Sequence, residues 1–130
     1  MAWILTPFEK ALSSLEEVLR LPVDPIIRDS AIQRFEYTYE LAFKFMKRFL
    51  KEAAASTAGI EENGFKDILR AAAAAGMVED VERWFSYRGA RNMTSHTYDE
   101  KKAAQVFGLL PAFARDARSL LEALQRRNRE

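Results

Sequence analysis

The chain has 130 residues, of which 48% are hydrophobic and 30% charged, a composition typical of one soluble globular domain. It contains no cysteine and one histidine, which argues against disulfides and against cysteine- or histidine-rich metal sites, so we expect no metal and no cofactor. No apolar run approaches the roughly 18 residues of a membrane span, and no signal-peptide pattern occurs, so we expect a cytoplasmic domain without a membrane partner.

Charge is distributed unevenly, although the formal net charge is only +1. Residues 86–130 carry nine Lys and Arg against five Asp and Glu, whereas residues 1–85 carry eleven against fourteen. The positive C-terminal third can attract an anionic partner. The imbalance is too mild to predict indiscriminate binding to nucleic acid.

The first predicted helix covers about residues 6–21, where apolar side chains recur at helical spacing. Thr6 is the expected N-cap, with Pro7 at the first helical position and Glu9 completing a capping box. Two prolines, at positions 22 and 25, then interrupt the chain because neither can donate a backbone N–H.

The second predicted helix is the longest and runs from about Pro25 to Ala55. Its apolar stripe follows a period of 3.6 residues and consists of Ala31, Phe35, Tyr39, Ala42, Met46, Phe49 and Ala53. Its polar flank consists of Glu36, Glu40, Lys44, Lys47 and Lys51. Because a glutamate four residues before a lysine supports a helix, we interpret this flank as a solvated surface rather than a site with paired catalytic carboxylates.

Shorter elements are predicted in the middle of the chain. A loop covers residues 56–64, and an alanine-rich helix covers about residues 65–75 and ends at Gly76. Another helix begins near Asp80, where an acidic side chain suits the positive end of the helix dipole, and continues to about Asn92.

The last predicted helix begins at Asp99, a good N-cap, and reaches Arg127. Gly108 and Pro111 are expected to kink this helix rather than end it, because the apolar pattern continues beyond them. The sequence lacks the strand-like alternation, bounded by turn residues, that a β-sheet requires. It therefore predicts a single all-α domain over residues 1–130, a bundle of about five helices.

One stretch, residues 84–99, carries polar side chains that a solvated helix face does not explain. Helical spacing places four side chains within an arc of about 60°, namely Trp84, Arg88, Arg91 and Ser95. Two arginines beside a tryptophan can hold a phosphate or a stacked base. The alternatives are that Trp84 packs in the core and that the arginines form salt bridges with Asp99 or with a glutamate of the second helix. The adjoining arc is expected to face the core and consists of Val78, Val81, Phe85 and Gly89.

The spacing of Arg91 and His96 carries its own prediction. Five residues on a continuous helix separate two side chains by about 140°, so they would lie on different faces. To act together, the helix must end between them or a second subunit must supply the missing partner. Thr94 and Ser95 are poor residues for a helix interior and can end it there.

Two segments carry a family resemblance. One is residues 28–41, RDSAIQRFEYTYEL, and the other is residues 91–100, RNMTSHTYDE. The second has an arginine, four residues, a histidine and then a tyrosine two positions later. Together they resemble the HEPN superfamily, and within it the branch of nucleotidyltransferase substrate-binding proteins. The resemblance extends from about Phe8 to Leu110.

This resemblance implies an up-and-down bundle of four to five helices that forms a homodimer. It also implies a partner, a small MNT-type nucleotidyltransferase of the polymerase-beta superfamily. In related toxin–antitoxin pairs the HEPN subunit is a metal-independent ribonuclease, which its partner neutralises by adding AMP to the motif tyrosine, here Tyr98. Other members are substrate-binding subunits of a two-component nucleotidyltransferase.

Cleavage of RNA without a metal needs a base, an acid and positive charge at the phosphate. His96 can act as base or acid near neutral pH, and Arg91 suits the phosphate oxygens. Because each chain has one histidine, a two-fold dimer is required to supply the second proton-transfer group. Neighbouring polar side chains are expected to bind substrate or to orient this pair, namely Arg88, Asn92, Ser95 and Asp99.

Two functions therefore stay open. The leading hypothesis is a substrate-binding subunit that holds a nucleotide or a single-stranded RNA phosphate in a dimer cleft, with Arg91 and Arg88 capturing the phosphate and His96 contacting it. The alternative is a ribonuclease toxin subunit, in which Arg91 and His96 are catalytic and Tyr98 is the modification site. The same residues serve both functions, so the motif does not separate them.

Overall fold

A computed structural model describes residues 3–53 and 64–128 of the chain. Within those ranges it contains five α-helices and no strand, which confirms the predicted all-α class. The helices are α1 (Thr6–Leu19), α2 (Pro25–Ala53), α3 (Phe65–Ala74), α4 (Val81–Met93) and α5 (Glu100–Asn128), with a 3-10 turn (Thr94–His96) between the last two. All of the predicted 56–64 loop except Gly64 lies outside the described residues.

The two long helices α2 and α5 pack against each other and against α1, while α4 lies on α5 and α3 bridges α2 and α4. The stripe predicted on α2 faces this core, except that Ala53 at its end is exposed. A cluster of aromatic rings fills the space between α2, α4 and α5, with neighbouring centroids 4.9–6.3 Å apart, and consists of Phe35, Tyr39, Trp84, Tyr87 and Phe113. Edge-to-face pairs of this kind add to the stabilisation from apolar burial.

A polar network ties α4 to α5 at the edge of the aromatic cluster. The Arg83 guanidinium donates two hydrogen bonds of 2.8 Å to the Asp116 carboxylate, and the Tyr87 hydroxyl donates a third to the same carboxylate. Burial alone would raise the pKa of Asp116, but the hydrogen bonds from Arg83 and Tyr87 hold it below its ordinary value. Burial and the bond to Asp116 in turn raise the pKa of Tyr87, so this network stays charged at Asp116 and neutral at Tyr87 near neutral pH.

The predicted capping box at the start of α1 is wrong. Thr6 is already helical, Leu5 occupies the cap position, and no side chain caps the helix. The Glu9 carboxylate instead accepts a hydrogen bond of 3.1 Å from Gln125. The start of α1 is held by the preceding chain: Trp3 is buried and exchanges two backbone hydrogen bonds with the Asn128 side chain at the end of α5. Tertiary anchoring therefore sets this helix end rather than a local cap.

Three other predicted helix boundaries are confirmed, at Gly76, Asp80 and Asp99. The helix α1 ends at Leu19 rather than near residue 21, and the predicted end of α2 near residue 55 lies outside the described residues. The Asp80 carboxylate accepts hydrogen bonds from the backbone at the start of α4, and the Asp99 carboxylate does the same for α5. Gly76 follows α3 with φ of 79°, a conformation that L side chains rarely adopt. The helix α5 continues through Pro111, as predicted, and the proline lies on its exposed side, where water can satisfy the carbonyl that loses its donor.

None of the helices in the described parts of the chain is both long and apolar enough to cross a membrane. The long helices α2 and α5 each alternate buried and exposed positions along their whole length. Their apolar faces are covered by the other helices of the bundle.

Candidate functional site

The candidate site lies at the junction of α4 and α5, where the chain turns between Arg91 and His96. The helix α4 ends at Met93 and a single 3-10 turn follows, which confirms the predicted helix–loop junction. The Thr94 hydroxyl donates a hydrogen bond of 2.8 Å to the backbone carbonyl of Arg91, and the Thr97 hydroxyl donates one of 3.2 Å to the backbone carbonyl of Thr94. These side-chain bonds to the backbone compete with helical hydrogen bonds, which is why threonine ends the helix here.

Arg91 is the charged centre of the junction. Its Nε donates a hydrogen bond of 2.6 Å to Oε1 of Glu40, and its Nη2 lies 3.9 Å from Oε1 of Glu36. Of the two predicted salt bridges for this arginine, the structure shows the one to a glutamate of the second helix. The other predicted acceptor, Asp99, caps α5 instead. The Arg91 side chain is 29% exposed and that of Glu40 is 53% exposed, so an incoming anion can compete for the guanidinium.

Arg88 lies one turn earlier on α4, between two aromatic rings. Its guanidinium carbon is 4.9 Å from the Phe65 ring centroid and 5.5 Å from that of Phe43. Its Nε is buried and has no hydrogen-bond partner among the described residues. Burial raises the pKa of Tyr39, and its interaction with the Arg88 guanidinium opposes that rise. Arg88 thus brings an incompletely satisfied cation close to α2.

Trp84 does not flank a ligand. It is 1% exposed and packs its ring against Tyr39, Tyr87 and Phe113, so the prediction that it packs in the core is confirmed and the stacking role is wrong. The prediction that the adjoining arc faces the core holds for Val78, which is buried, and in part for Val81 and Phe85, which pack against the edge of the core, but it is wrong for Gly89. Phe85 is half-buried under the cationic ends of two α3 side chains, and Gly89 is exposed.

The buried face of α4 consists of Trp84, Tyr87 and Ala90, on roughly the opposite side of the helix from Phe85 and Gly89 at about 100° per residue. The sequence is ambiguous here because aromatic residues occur on both arcs. The bundle selects the larger tryptophan, since α5 presents Phe113 to it at a centroid distance of 5.8 Å. Arg88 and Arg91 are then left at the border of this face, directed toward α2.

The remaining predicted side chains lie on the surface around the turn. Asn92, Ser95 and His96 are exposed, and Tyr98 is 83% exposed. The rings of His96 and Tyr98 meet edge to face with their centroids 6.2 Å apart. The junction therefore presents an imidazole and a phenol side by side to solvent, on the same turn that holds Arg91.

Arg28, which the site prediction did not include, connects this junction to the start of α2. Arg28 donates two hydrogen bonds, of 2.8 and 3.1 Å, to the two carboxylate oxygens of Glu100 at the start of α5. The hydrogen bonds from Arg28 lower the pKa of Glu100. Arg28 is the first residue of the first signature segment and Glu100 the last residue of the second, and these positions were the signal in the sequence. This pair of parallel hydrogen bonds holds the start of α2 against the start of α5, beside the turn.

The junction offers a guanidinium of the kind that can bind a phosphate, an imidazole of the kind that can transfer protons, and an exposed phenol. No group of three or more metal-ligating side chains occurs among residues 3–53 and 64–128. Each copy of the chain supplies one imidazole, so acid and base catalysis together need either a second copy or a second kind of group.

Comparisons with known proteins identify relatives of the chain. The family described as "Nucleotidyltransferase substrate binding protein like" matches residues 4–126. A Haemophilus influenzae protein named "Probable ribonuclease HepT" is 48% identical over 98 residues, which are 75% of this chain and 67% of that protein. These matches confirm the family resemblance drawn from the two signature segments.

Two solved structures share the fold. One, from Haemophilus influenzae, is described as the fold of a substrate binding domain of a nucleotidyltransferase; it is 39% identical, with a TM-score of 0.88 over 94% of this chain and 99% of that one. The other, from Thermus thermophilus, is 36% identical, with a TM-score of 0.79 over 90% of this chain and 98% of that one. The arrangement of helices is therefore the same as in these relatives.

Proposed function

The chain belongs to the family of nucleotidyltransferase substrate-binding-like proteins, and from that premise we propose that it is the substrate-binding subunit of a two-component nucleotidyltransferase. Its partner is a small MNT-type nucleotidyltransferase. It holds a nucleotide or an RNA phosphate through Arg91 and His96. The observation that supports this most strongly is that the α4–α5 turn brings a guanidinium and an exposed imidazole to one junction.

Phosphate capture works by exchange at Arg91. In the free chain, Glu40 occupies the guanidinium in a partly exposed ion pair, and such pairs contribute only about 0–1 kcal/mol. A phosphate accepts two parallel hydrogen bonds from the guanidinium fork, and the terminal phosphate of a nucleotide also carries more charge than a carboxylate, so it can displace Glu40. His96 then contacts a phosphate oxygen or the 2′-hydroxyl from the opposite side of the turn.

A homodimer completes this site. One imidazole per chain supplies one proton-transfer group, whereas a two-fold axis beside the junction brings two arginines and two histidines to one cleft. The exposure of His96 and Tyr98 leaves both rings available to such a cleft.

A second candidate function is a metal-independent ribonuclease that the partner neutralises by adding AMP to Tyr98. Two observations favour it: a relative is named a probable ribonuclease, and the Tyr98 ring is 83% exposed beside His96. In this reaction one imidazole takes the proton of the 2′-hydroxyl, and the 2′-oxygen attacks phosphorus. The bond to the 5′-oxygen breaks, and the second subunit's imidazole gives that oxygen a proton.

The two candidates separate in one experiment with labelled single-stranded RNA in EDTA. His96→Ala and Arg91→Ala are compared with Arg126→Ala, a matched loss of charge near the other end of α5, and the oligomeric state of each variant is measured. Binding that weakens in the first two variants, without cleavage by any of them, supports the substrate-binding subunit. Cleavage by the intact chain that both variants lose while still dimeric supports the ribonuclease. Binding that all four proteins share equally contradicts both.

A further inference from the structure

An open groove runs along the second half of α2, next to the junction. It has a volume of about 390 Å³ and is lined by Glu40, Phe43, Lys44, Lys47, Arg48 and Lys51. Below, we call these six residues the α2 groove. The groove shares Glu40 with the Arg91 salt bridge and Phe43 with the Arg88 guanidinium. It is therefore continuous with the candidate site.

The α2 groove is strongly positive. It contains four cationic side chains and one carboxylate, and that carboxylate is already paired with Arg91. The helix-supporting pair expected between Glu40 and Lys44 is not formed, because Glu40 turns toward α4 instead. Lys44 and Lys47 make no ion pair or hydrogen bond with a described residue. The charge of these two lysines is thus available to an anionic partner.

The dimensions of the α2 groove exceed those of a mononucleotide. Glu40 and Lys51 are eleven residues apart on one helix, which corresponds to about 16 Å at 1.5 Å per residue. A stacked strand advances about 3.4 Å per nucleotide, so this distance matches about five nucleotides, and fewer in an extended strand. A single nucleotide bound at Arg91 leaves most of the lysines unused.

The chemistry of the α2 groove matches single-stranded nucleic acid. A cationic track that follows the backbone, combined with an aromatic ring on which a base can stack, is the usual arrangement for this ligand. The Phe43 ring lines the groove, but the Arg88 guanidinium at 5.5 Å and the parallel Tyr39 ring at 6.1 Å already pack against it, so the match depends mainly on the lysines, which follow each other on the same helix face. A compact anion such as free phosphate would use one of these cations rather than the whole track.

We propose that the α2 groove is an extended subsite that binds the backbone of single-stranded RNA, with one phosphate of the strand at Arg91 and its neighbours along Lys44 and Lys47. This inference rests on the proposed function, because it places the start of the track at the same arginine. It defines the substrate as an oligonucleotide strand and assigns a direct role to lysines on the polar flank of α2.

The test measures binding of a labelled ten-nucleotide single-stranded RNA, and separately of AMP, at several salt concentrations in EDTA. The double variant Lys44→Gln/Lys47→Gln is compared with Lys10→Gln/Arg126→Gln, which loses the same charge at exposed positions in the first turns of α1 and the last turns of α5. Each phosphate contact contributes about 0.7 to the slope of log K against log salt for single strands. We expect the groove variant to lose about 1.4 from this slope, to bind RNA more weakly and to bind AMP as the intact chain does, while the control keeps its slope.

Each contrary outcome overturns a different part of the account. If the groove variant and the control behave alike while Arg91→Ala still abolishes RNA binding, the extended subsite is wrong and the proposed function stands. If the intact chain binds AMP but no RNA at low salt, the extended subsite is wrong and the proposed function stands. If it binds neither ligand, or if Arg91→Ala leaves the binding of both unchanged, both proposals are wrong. If a duplex of the same length binds as tightly and with the same slope, the groove does not select single strands.

Discussion

Replacing Glu40 by glutamine removes the negative charge of the carboxylate that is hydrogen-bonded to Arg91 and competes with a ligand for it. The carboxylate accepts a 2.6 Å hydrogen bond from the guanidinium, and it is the nearest negative charge to the predicted phosphate position. Glutamine keeps the size and an acceptor oxygen but removes the charge. If phosphate binds by displacing Glu40, Glu40→Gln makes that displacement easier.

The magnitude follows from the exposure of the pair. The Arg91 side chain is 29% exposed and that of Glu40 is 53% exposed, so the pair belongs with surface ion pairs of about 0.2–1 kcal/mol. A gain of up to about 1 kcal/mol corresponds to binding up to about fivefold tighter. Folding stability falls by no more than the same amount, because Glu36 still lies 3.9 Å from the guanidinium.

Isothermal titration with AMP and with a short single-stranded RNA measures this change. Glu17→Gln, at an exposed position on α1, is the matched control, and it corrects for the general effect of removing one negative charge. Binding that is unchanged or weaker in Glu40→Gln, relative to the control, would refute the exchange at Arg91. Glu40 would then be a group that positions the arginine for its ligand.

Three further predictions concern the core, the pH dependence and the modification site. Trp84→Ala should lower the free energy of unfolding by about 3–5 kcal/mol in urea titrations, because the ring is 1% exposed; a loss below about 1 kcal/mol would contradict its place in the core. The pKa of Asp116 is lowered in the folded chain, so the ionised carboxylate stabilises the fold above about pH 4 and this stabilisation is lost as the pH falls. Asp116→Asn should therefore make the free energy of unfolding depend less on pH in the acid range, and an unchanged dependence would contradict the role of Asp116. Tyr98→Phe should leave thermal stability and RNA binding intact, since the side chain is 83% exposed, yet abolish incorporation of labelled AMP by the partner nucleotidyltransferase; labelling that persists would place the modification elsewhere.

Much of the fold follows from local rules that the sequence displays. The 3.6-residue stripe on α2 becomes buried, and the aspartates at positions 80 and 99 cap the helices they precede. The break between Arg91 and His96 was also predictable, because threonine and serine compete with helical hydrogen bonds. These features depend only on residues close together in the chain.

The errors concern choices that distant residues decide. The Thr6 cap was wrong because Trp3 is anchored to the end of α5, more than one hundred residues away. The predicted core face of α4 lies on roughly the opposite side of the helix from the buried one, because both sides carry large apolar side chains and the ring of Phe113 selects between them. The periodicity of a helix contains no information about a distant residue such as Asn128 or Phe113 that packs against it.

The candidate site shows the same division. Its residues could be named from the motif, and the turn that gathers them was predicted from its sequence. The salt bridge from Arg91 to Glu40 could be stated only as one alternative, because Asp99 was an equally good acceptor until its role as a helix cap was known. The lysines of α2 were interpreted as a helix-supporting flank, and only the orientation of Glu40 leaves Lys44 without a carboxylate.

The most direct test of the phosphate site uses the fact that the chain has one histidine. In NMR spectra of the untagged chain, the single set of imidazole signals belongs to His96 and is followed while AMP or a short single-stranded RNA is added in EDTA. We expect saturable shifts of these signals in the intact chain, no shifts in Arg91→Ala, and shifts like those of the intact chain in Arg126→Ala. Imidazole signals that do not move, or that move equally in Arg91→Ala, would contradict a ligand held jointly by Arg91 and His96.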